Sequence, residues 1–210
     1  MREGSVMSAS RYICTSIIVA VLMVAGPLRA HDHQHNATKL DAALQGTSLY
    51  HISDKWTADD GHSVTLSDFD EQPVVLTMAY TSCKDICPLI IADMMHIEDE
   101  ALKQGASKIQ FLFVSLDPEH DTPAQLSAYA AKHGLDHSRW TLLQGTPKSV
   151  RLLAAAIGLR YRRVDATTID HSTLLTLIDA SGRIVMQSGN DPADHEKLIE
   201  RLVALSKQQP

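Results

Sequence analysis

Residues 73–88 constrain the fold more than any other stretch. Pro73–Tyr80 is almost wholly apolar and rich in residues that favour strands, the pattern of a strand buried on both faces. It runs directly into Thr81-Ser82-Cys83-Lys84-Asp85-Ile86-Cys87-Pro88. Pro88 suits the first helical position, where its missing N–H costs nothing. The spacing predicts a helix to about Gln104 with Gly105 as its stop, and Ile91, Met94, Met95 and Leu102 fall on its inward stripe. A strand that enters a helix through two cysteines puts both sulfurs near a helix amino terminus. Partial positive charge and unsatisfied N–H groups there favour thiolate over thiol, the species needed for disulfide exchange and for metal ligation alike.

Helical i,i+4 geometry would hold the two β-carbons about 6 Å apart, too far for a disulfide. Pro88 disfavours helical backbone at Cys87, so the pair is expected on the loop leading into the helix. There it can close to a disulfide or open around a metal. A permanent staple is the weaker reading, because a loop of three residues removes little unfolded-state entropy.

Around this centre the chain alternates strands and helices. Ser48–Ile52 and His62–Leu66 read as short strands about the turn Asp59-Asp60-Gly61, an amino-terminal hairpin. Ile109–Leu116 is a second buried strand. Thr122-Pro123 and Thr146-Pro147 each read as an N-cap followed by a first-turn proline, opening helices that close near Gly134 and Gly158. Trp140–Leu143 and Leu159–Val164 are short strands, residues 165–171 a loop, and Ser172–Ile178 with Ile184–Gln187 a hairpin. Asp191-Pro192 starts a last helix with Leu198, Ile199, Leu202, Val203 and Leu205 facing inward. The economical arrangement is a central mixed sheet flanked by helices, an α/β chain whose element order resembles the thioredoxin-like fold with an amino-terminal β-hairpin extension.

The 210 residues suffice for one domain and a short extra segment. Residues 31–210 hold 16 basic and 24 acidic residues, a net −8, and no basic run, which argues against a nucleic-acid partner. Residues 1–30 read as an export signal: Arg2 and Arg11, then the apolar run Ile13–Gly26, then Pro27-Leu28-Arg29-Ala30 as a cleavage edge. The run is shorter than the roughly 20 residues of a membrane span, so a cleaved signal is expected, with a retained amino-terminal membrane anchor as the alternative. Either way the domain is expected outside the cytoplasm, in a bacterial periplasm, as a monomer. Cys14 lies inside the signal, leaving Cys83 and Cys87 in an oxidising compartment. Residues 31–47 are polar and read as a solvated tail; with cleavage after Ala30 the chain would begin His31-Asp32-His33, and the alternative is a Cu(II) site built from the free amine and the third-position histidine, with His35 beyond.

In thioredoxin-like folds the loop before the final hairpin lies against the cysteines and usually ends in proline. Here it reads Thr168-Ile169-Asp170-His171-Ser172. Two thiolates and an imidazole form a soft three-donor set suited to Cu(I) and able to hold Cu(II); closed structural zinc wants a fourth ligand. Asp170 is a candidate to orient the imidazole.

Three motifs occur in an order that resembles the SCO/SenC family: Tyr80-Thr81-Ser82-Cys83 to Cys87-Pro88; Val114-Ser115-Leu116-Asp117-Pro118 to Asp121-Thr122-Pro123; and Asp170-His171-Ser172 leading to Leu177-Ile178-Asp179. The resemblance spans about residues 48–206. It implies a copper chaperone or thiol reductase serving the binuclear copper site of cytochrome c oxidase subunit II, with Cys83, Cys87 and His171 as copper ligands. Asp117 resembles a family acid, although capping of the 117–121 turn explains it equally well. The rival is a thiol–disulfide oxidoreductase using Cys83 and Cys87 as a redox pair, reset by a thiol reductant partner. A thiol peroxidase is disfavoured, since no separate resolving cysteine is present. Met94, Met95 and His96 suggest a copper relay, but methionines at helical spacing are more often core. His51, His62, His120, His133, His137 and His195 have no partner evident from sequence.

Overall fold

The computed structural model describes residues 48–83 and 87–208. The export signal, the segment 31–47 and its histidines lie outside them. The described chain forms nine strands: β1 (Trp56–Ala58), β2 (Ser63–Val64), β3 (Val74–Ala79), β4 (Gln110–Ser115), β5 (Trp140–Gln144), β6 (Tyr161–Arg163), β7 (Ile169–His171), β8 (Leu175–Ile178) and β9 (Ile184–Ser188). Four helices accompany them: α1 (Cys87–Lys103), α2 (Pro123–His133), α3 (Pro147–Ala156) and α4 (Pro192–Ser206). Seven strands make one mixed sheet in the order β2-β1-β5-β4-β3-β8-β9, and β6 and β7 form a separate antiparallel pair. This is the expected thioredoxin-like α/β architecture.

β3 is an interior strand of the sheet, and every one of its residues is buried. It pairs parallel with β4 and antiparallel with β8, and its one polar side chain, Thr77, donates to the Leu174 carbonyl at 3.1 Å. Each of α2, α3 and α4 starts as its sequence dictates. Thr122 and Thr146 accept from the N–H groups of Gln125 and Ser149, Asp191 accepts from that of Ala193, and proline follows each cap. Gly134 closes α2 in the left-handed region at φ 68°. Ile90, Ile91, Met94, Ile97 and Ala101 form the buried stripe of α1, while Met95 and Leu102 sit at its margin. Buried Glu98 on α1 accepts from the Trp140 indole at 2.6 Å and from Arg139, fixing α1 to the start of β5.

Three expectations change. Leu49–His51 is a 3-10 turn rather than a strand: Ser48 caps it, and its main chain bonds to Gly182 instead of to a strand partner. The hairpin about Asp59-Asp60-Gly61 exists, but its first strand is Trp56–Ala58, and the segment after Val64 turns into a short 3-10 helix at Leu66–Phe69. Residues 169–171, expected as loop, pair with 161–163.

Candidate metal centre

Parallel strands end at the same edge of a sheet. The carboxyl end of β3 therefore delivers Tyr80 to Cys83 beside the segment from Ser115 to Asp121 that follows β4, with Ala79 and Ser115 in register. The β6–β7 hairpin reaches the same edge, Tyr161 opposite His171. Cys87 Sγ lies 3.6 Å from His171 Nε2, and the Cys83, Cys87 and His171 donor atoms all lie within 4.8 Å of one another. No other group of three His, Cys, Asp or Glu among the described residues is so placed. No disulfide joins the cysteines. Three donors at about 2.0–2.3 Å from a shared ion sit about 3.5–4 Å apart, so closing on a metal requires movement of under about 1 Å.

The imidazole is set up to be a ligand. A carbonyl can only accept, so the 3.2 Å contact between His171 Nδ1 and the Ser172 carbonyl places the proton on Nδ1. Nε2 then turns its lone pair toward Cys87. Burial pushes the His171 pKa below its usual value, against smaller upward pulls from the Ser172 carbonyl and Asp170, which keeps the ring neutral. The Tyr80 ring stands edge-on to it, centroids 5.9 Å apart, and the Tyr80 hydroxyl accepts from Ile169 N–H at 3.3 Å. Asp170 is not the orienting group: it is exposed and faces Arg162 at 3.5 Å.

The sulfurs differ from the sequence expectation. Cys87 begins α1 and is completely buried, while Cys83 is half-buried. Burial drives the Cys87 thiol far above its ordinary range, and Cys83 and Asp121 add to the rise against the lowering effect of the Tyr80 backbone. The helix terminus is present, but desolvation outweighs it. Cys87 is a thiol until something displaces its proton.

The residues that hold the site are two acids spaced four apart. Asp121 accepts from Thr81 N–H at 3.1 Å, from the Thr81 hydroxyl, and from the Ser115 hydroxyl at 2.6 Å. This ties the approach to Cys83 to the end of β4. Asp117, 2% exposed, receives the Arg163 guanidinium at 2.6 Å and His120 Nδ1 at 2.9 Å, which ties the hairpin of His171 to the same turn. Its carboxylate does not cap the 117–121 turn; the turn closes through its backbone carbonyl, which accepts from Asp121 N–H. Sequence reasoning missed Asp121, Arg163 and Tyr80; the two-acid spacing within 117–121 was the available signal. Met94 is fully buried core, and His96 is exposed. Partners appear for His62 (Asp60), His137 (Asp59), His195 (the Gly189 carbonyl) and His133 (the Tyr129 ring).

Comparison with known proteins places this geometry in a family. The SCO2-like protein RT0576 of Rickettsia typhi is 30% identical over 117 residues, 53% of this chain and 56% of that one. The SCO1 protein homolog of Bacillus subtilis is 31% identical over 90 residues, 43% of this chain and 46% of its own length. The chain thus spans about half the length of these curated relatives. Among solved structures, Arabidopsis thaliana ScoI with copper bound superimposes with a TM-score of 0.65 at 25% identity, covering 73% of this chain and 96% of that one. Bradyrhizobium japonicum ScoI with copper bound gives 0.60 at 25% identity, covering 75% and 97%. The SCO1/SenC family model matches residues 45–207, strand β1 through helix α4 with the whole candidate centre inside, and the chain belongs to that family.

Proposed function

We propose that this protein is an exported, monomeric copper metallochaperone. It takes copper on Cys83, Cys87 and His171 and passes it to an acceptor such as the binuclear copper site of cytochrome c oxidase subunit II. The observation that carries the reading is the convergence of two sulfurs and one neutral imidazole within 4.8 Å, a soft three-donor set suited to copper. Relatives whose structures are described with copper bound support it. Residues 1–30 serve as the export signal, cleaved or retained as an anchor, and the periplasm is the working compartment. Copper is cargo here. Its binding displaces the Cys87 proton together with any proton on Cys83, while Nδ1–H of His171 stays on the Ser172 carbonyl and Nε2 supplies the third donor. Cys83, the more accessible sulfur, is the natural donor to release first when acceptor ligands arrive.

The second reading is thiol–disulfide exchange, favoured by the half-exposed Cys83 beside the buried Cys87. The Cys83 thiolate would attack a partner disulfide, and Cys87 would resolve the mixed disulfide. The partner gains two electrons, this chain becomes a disulfide, and a thiol reductant resets it. His171→Ala separates the readings. Cu(I) affinity, read by competition with a chromogenic chelator, is expected to fall at least tenfold, with dithiol exchange rates within about threefold of the parent. Unchanged copper affinity in that variant would overturn the metal assignment.

A further inference from the structure

The charge of this protein is divided unevenly, and the exception lies at the candidate metal centre. Residues 145–175 carry five basic and two acidic residues, a net +3, while the rest of the 210-residue chain carries −9. Arg160, Tyr161, Arg162, Asp170, His171 and Ser172 line one concavity. Tyr161 also belongs to the neighbouring cleft, which holds Arg151, Arg163 and Glu119. The arginines therefore form one continuous surface with the ligand imidazole. Asp117, Glu119 and Asp165 gather about Arg163 and offset it, so the open positive charge of the face is that of Arg151, Arg160 and Arg162. Arg163 is committed to Asp117; Arg162 meets Asp170 at 3.5 Å with both side chains well exposed, a pair that solvent screens strongly. Arg151 and Arg160 are exposed and form no ion pair with any described residue.

We propose that this arginine-rich face is the docking surface for the copper acceptor, and that the acceptor is a protein presenting carboxylates around its own metal ligands. The inference rests on the copper-chaperone reading. Handing over an ion requires the receiving ligands to come within bonding distance of it, so the acceptor must cover the surface around His171. The net charge of the rest of the chain disfavours an acidic partner, whereas Arg151, Arg160 and Arg162 attract it beside His171, so the charges turn encounters toward the productive orientation. Leu89, two residues past Cys87 and 58% exposed, supplies an apolar contact on the cysteine side. An anionic lipid surface would meet the same charges but brings no ligands to receive the ion.

The test is copper transfer from the copper-loaded full chain to the apo soluble copper domain of the cognate oxidase subunit II, followed by stopped flow across ionic strength. For the parent, the second-order rate is expected to fall at least tenfold between low and 0.3 M salt. Arg151→Glu with Arg160→Glu is expected to keep copper affinity, to transfer at least tenfold more slowly at low salt, and to lose the salt dependence. Lys55→Glu with Lys207→Glu changes net charge equally at exposed positions elsewhere, and should transfer within about twofold of the parent. Equal rates for the arginine variant, or equal slowing in the lysine control, overturn the docking surface. No transfer from the parent at any salt overturns the chaperone reading and the docking surface with it. Intact transfer by the arginine variant with loss of binding to phosphatidylglycerol vesicles reassigns the face to a membrane, against the proposal.

Discussion

Replacing Asp121 tests whether the candidate centre is built by long-range anchoring. Its carboxylate serves three donors at once: Thr81 N–H, the Thr81 hydroxyl and the Ser115 hydroxyl. Ser115 has no solvent exposure, so its hydroxyl loses a charge-assisted bond in Asp121→Ala with no water to replace it, about 2–3 kcal/mol. Thr81 is half-buried, and water recovers part of its two bonds, leaving about 1 kcal/mol more. The expected loss is about 3–4 kcal/mol. With a urea dependence of about 2 kcal/mol per M, the unfolding midpoint of the reduced protein should fall by about 1.5–2 M.

Asp121→Asn separates the acceptor role from the charge. The amide oxygen can take the position that faces Thr81 N–H and Ser115, and the amide N–H₂ can donate to the Thr81 hydroxyl, which rotates to accept. All three bonds survive as neutral ones, so the loss should be about 1 kcal/mol. Copper affinity follows the same order, parent above Asn above Ala, because Thr81 lies two residues before Cys83. A midpoint in Asp121→Ala equal to the parent, or Asn as damaging as Ala, would show that the carboxylate does not anchor the cysteine segment.

Other outcomes follow from the same contacts. Because the folded state holds the Cys87 pKa above its unfolded value, the unfolded chain loses that proton first as pH rises. Stability of the reduced protein should therefore decline above about pH 9, by at most about 1.4 kcal/mol per pH unit; urea titrations of Cys87→Ser should lack that component. The same buried proton makes copper affinity rise with pH, which chelator competition between pH 6 and 8 measures. Arg163→Ala leaves Asp117 buried with His120 Nδ1 as its remaining side-chain partner; the guanidinium side chain is 37% exposed, so a loss of about 1 kcal/mol is expected, with weaker copper binding and unchanged Cys83 alkylation. Gly145→Ala would drive a methyl into the Trp56 ring, which is fully buried, so a midpoint drop equivalent to about 1–3 kcal/mol is expected with copper affinity intact.

What the sequence conveyed depended on how far apart the interacting residues lie. Helices α2, α3 and α4 announce themselves within four residues through a capping side chain and a following proline, and their starts agree with the structure to the residue. β3 and β4 were legible because a strand buried on both faces reads as a nearly continuous apolar run. Ser48–Ile52 was misread because its backbone is satisfied by the distant Gly182 carbonyl and its own turn, which no local pattern reveals. The β6–β7 pairing was missed for a similar reason: three-residue strands with exposed arginines carry no hydrophobic period. The His171 position was inferred from element order, and the structure brings it beside Cys87. The bonds of Asp121 to Thr81 and of Asp117 to Arg163 span 40 and 46 residues and left no trace beyond two acids in one turn.

The largest departure from sequence reasoning concerns Cys87, and it bears on chemistry. Position at a helix start suggested an activated thiolate, yet burial reverses the sign. In thiol–disulfide exchange Cys87 would have to act as the resolving thiolate, and burial that holds it protonated slows that step. A protonated, enclosed sulfur beside a neutral imidazole suits a site held shut until a soft cation arrives, since the ion supplies the charge that makes the thiolate tolerable inside the protein. The same logic accounts for the division of labour between the two sulfurs. Cys83 at the surface can meet an incoming ion or a partner's ligand first, and Cys87 and His171, already 3.6 Å apart, form the fixed half of the centre against which it closes.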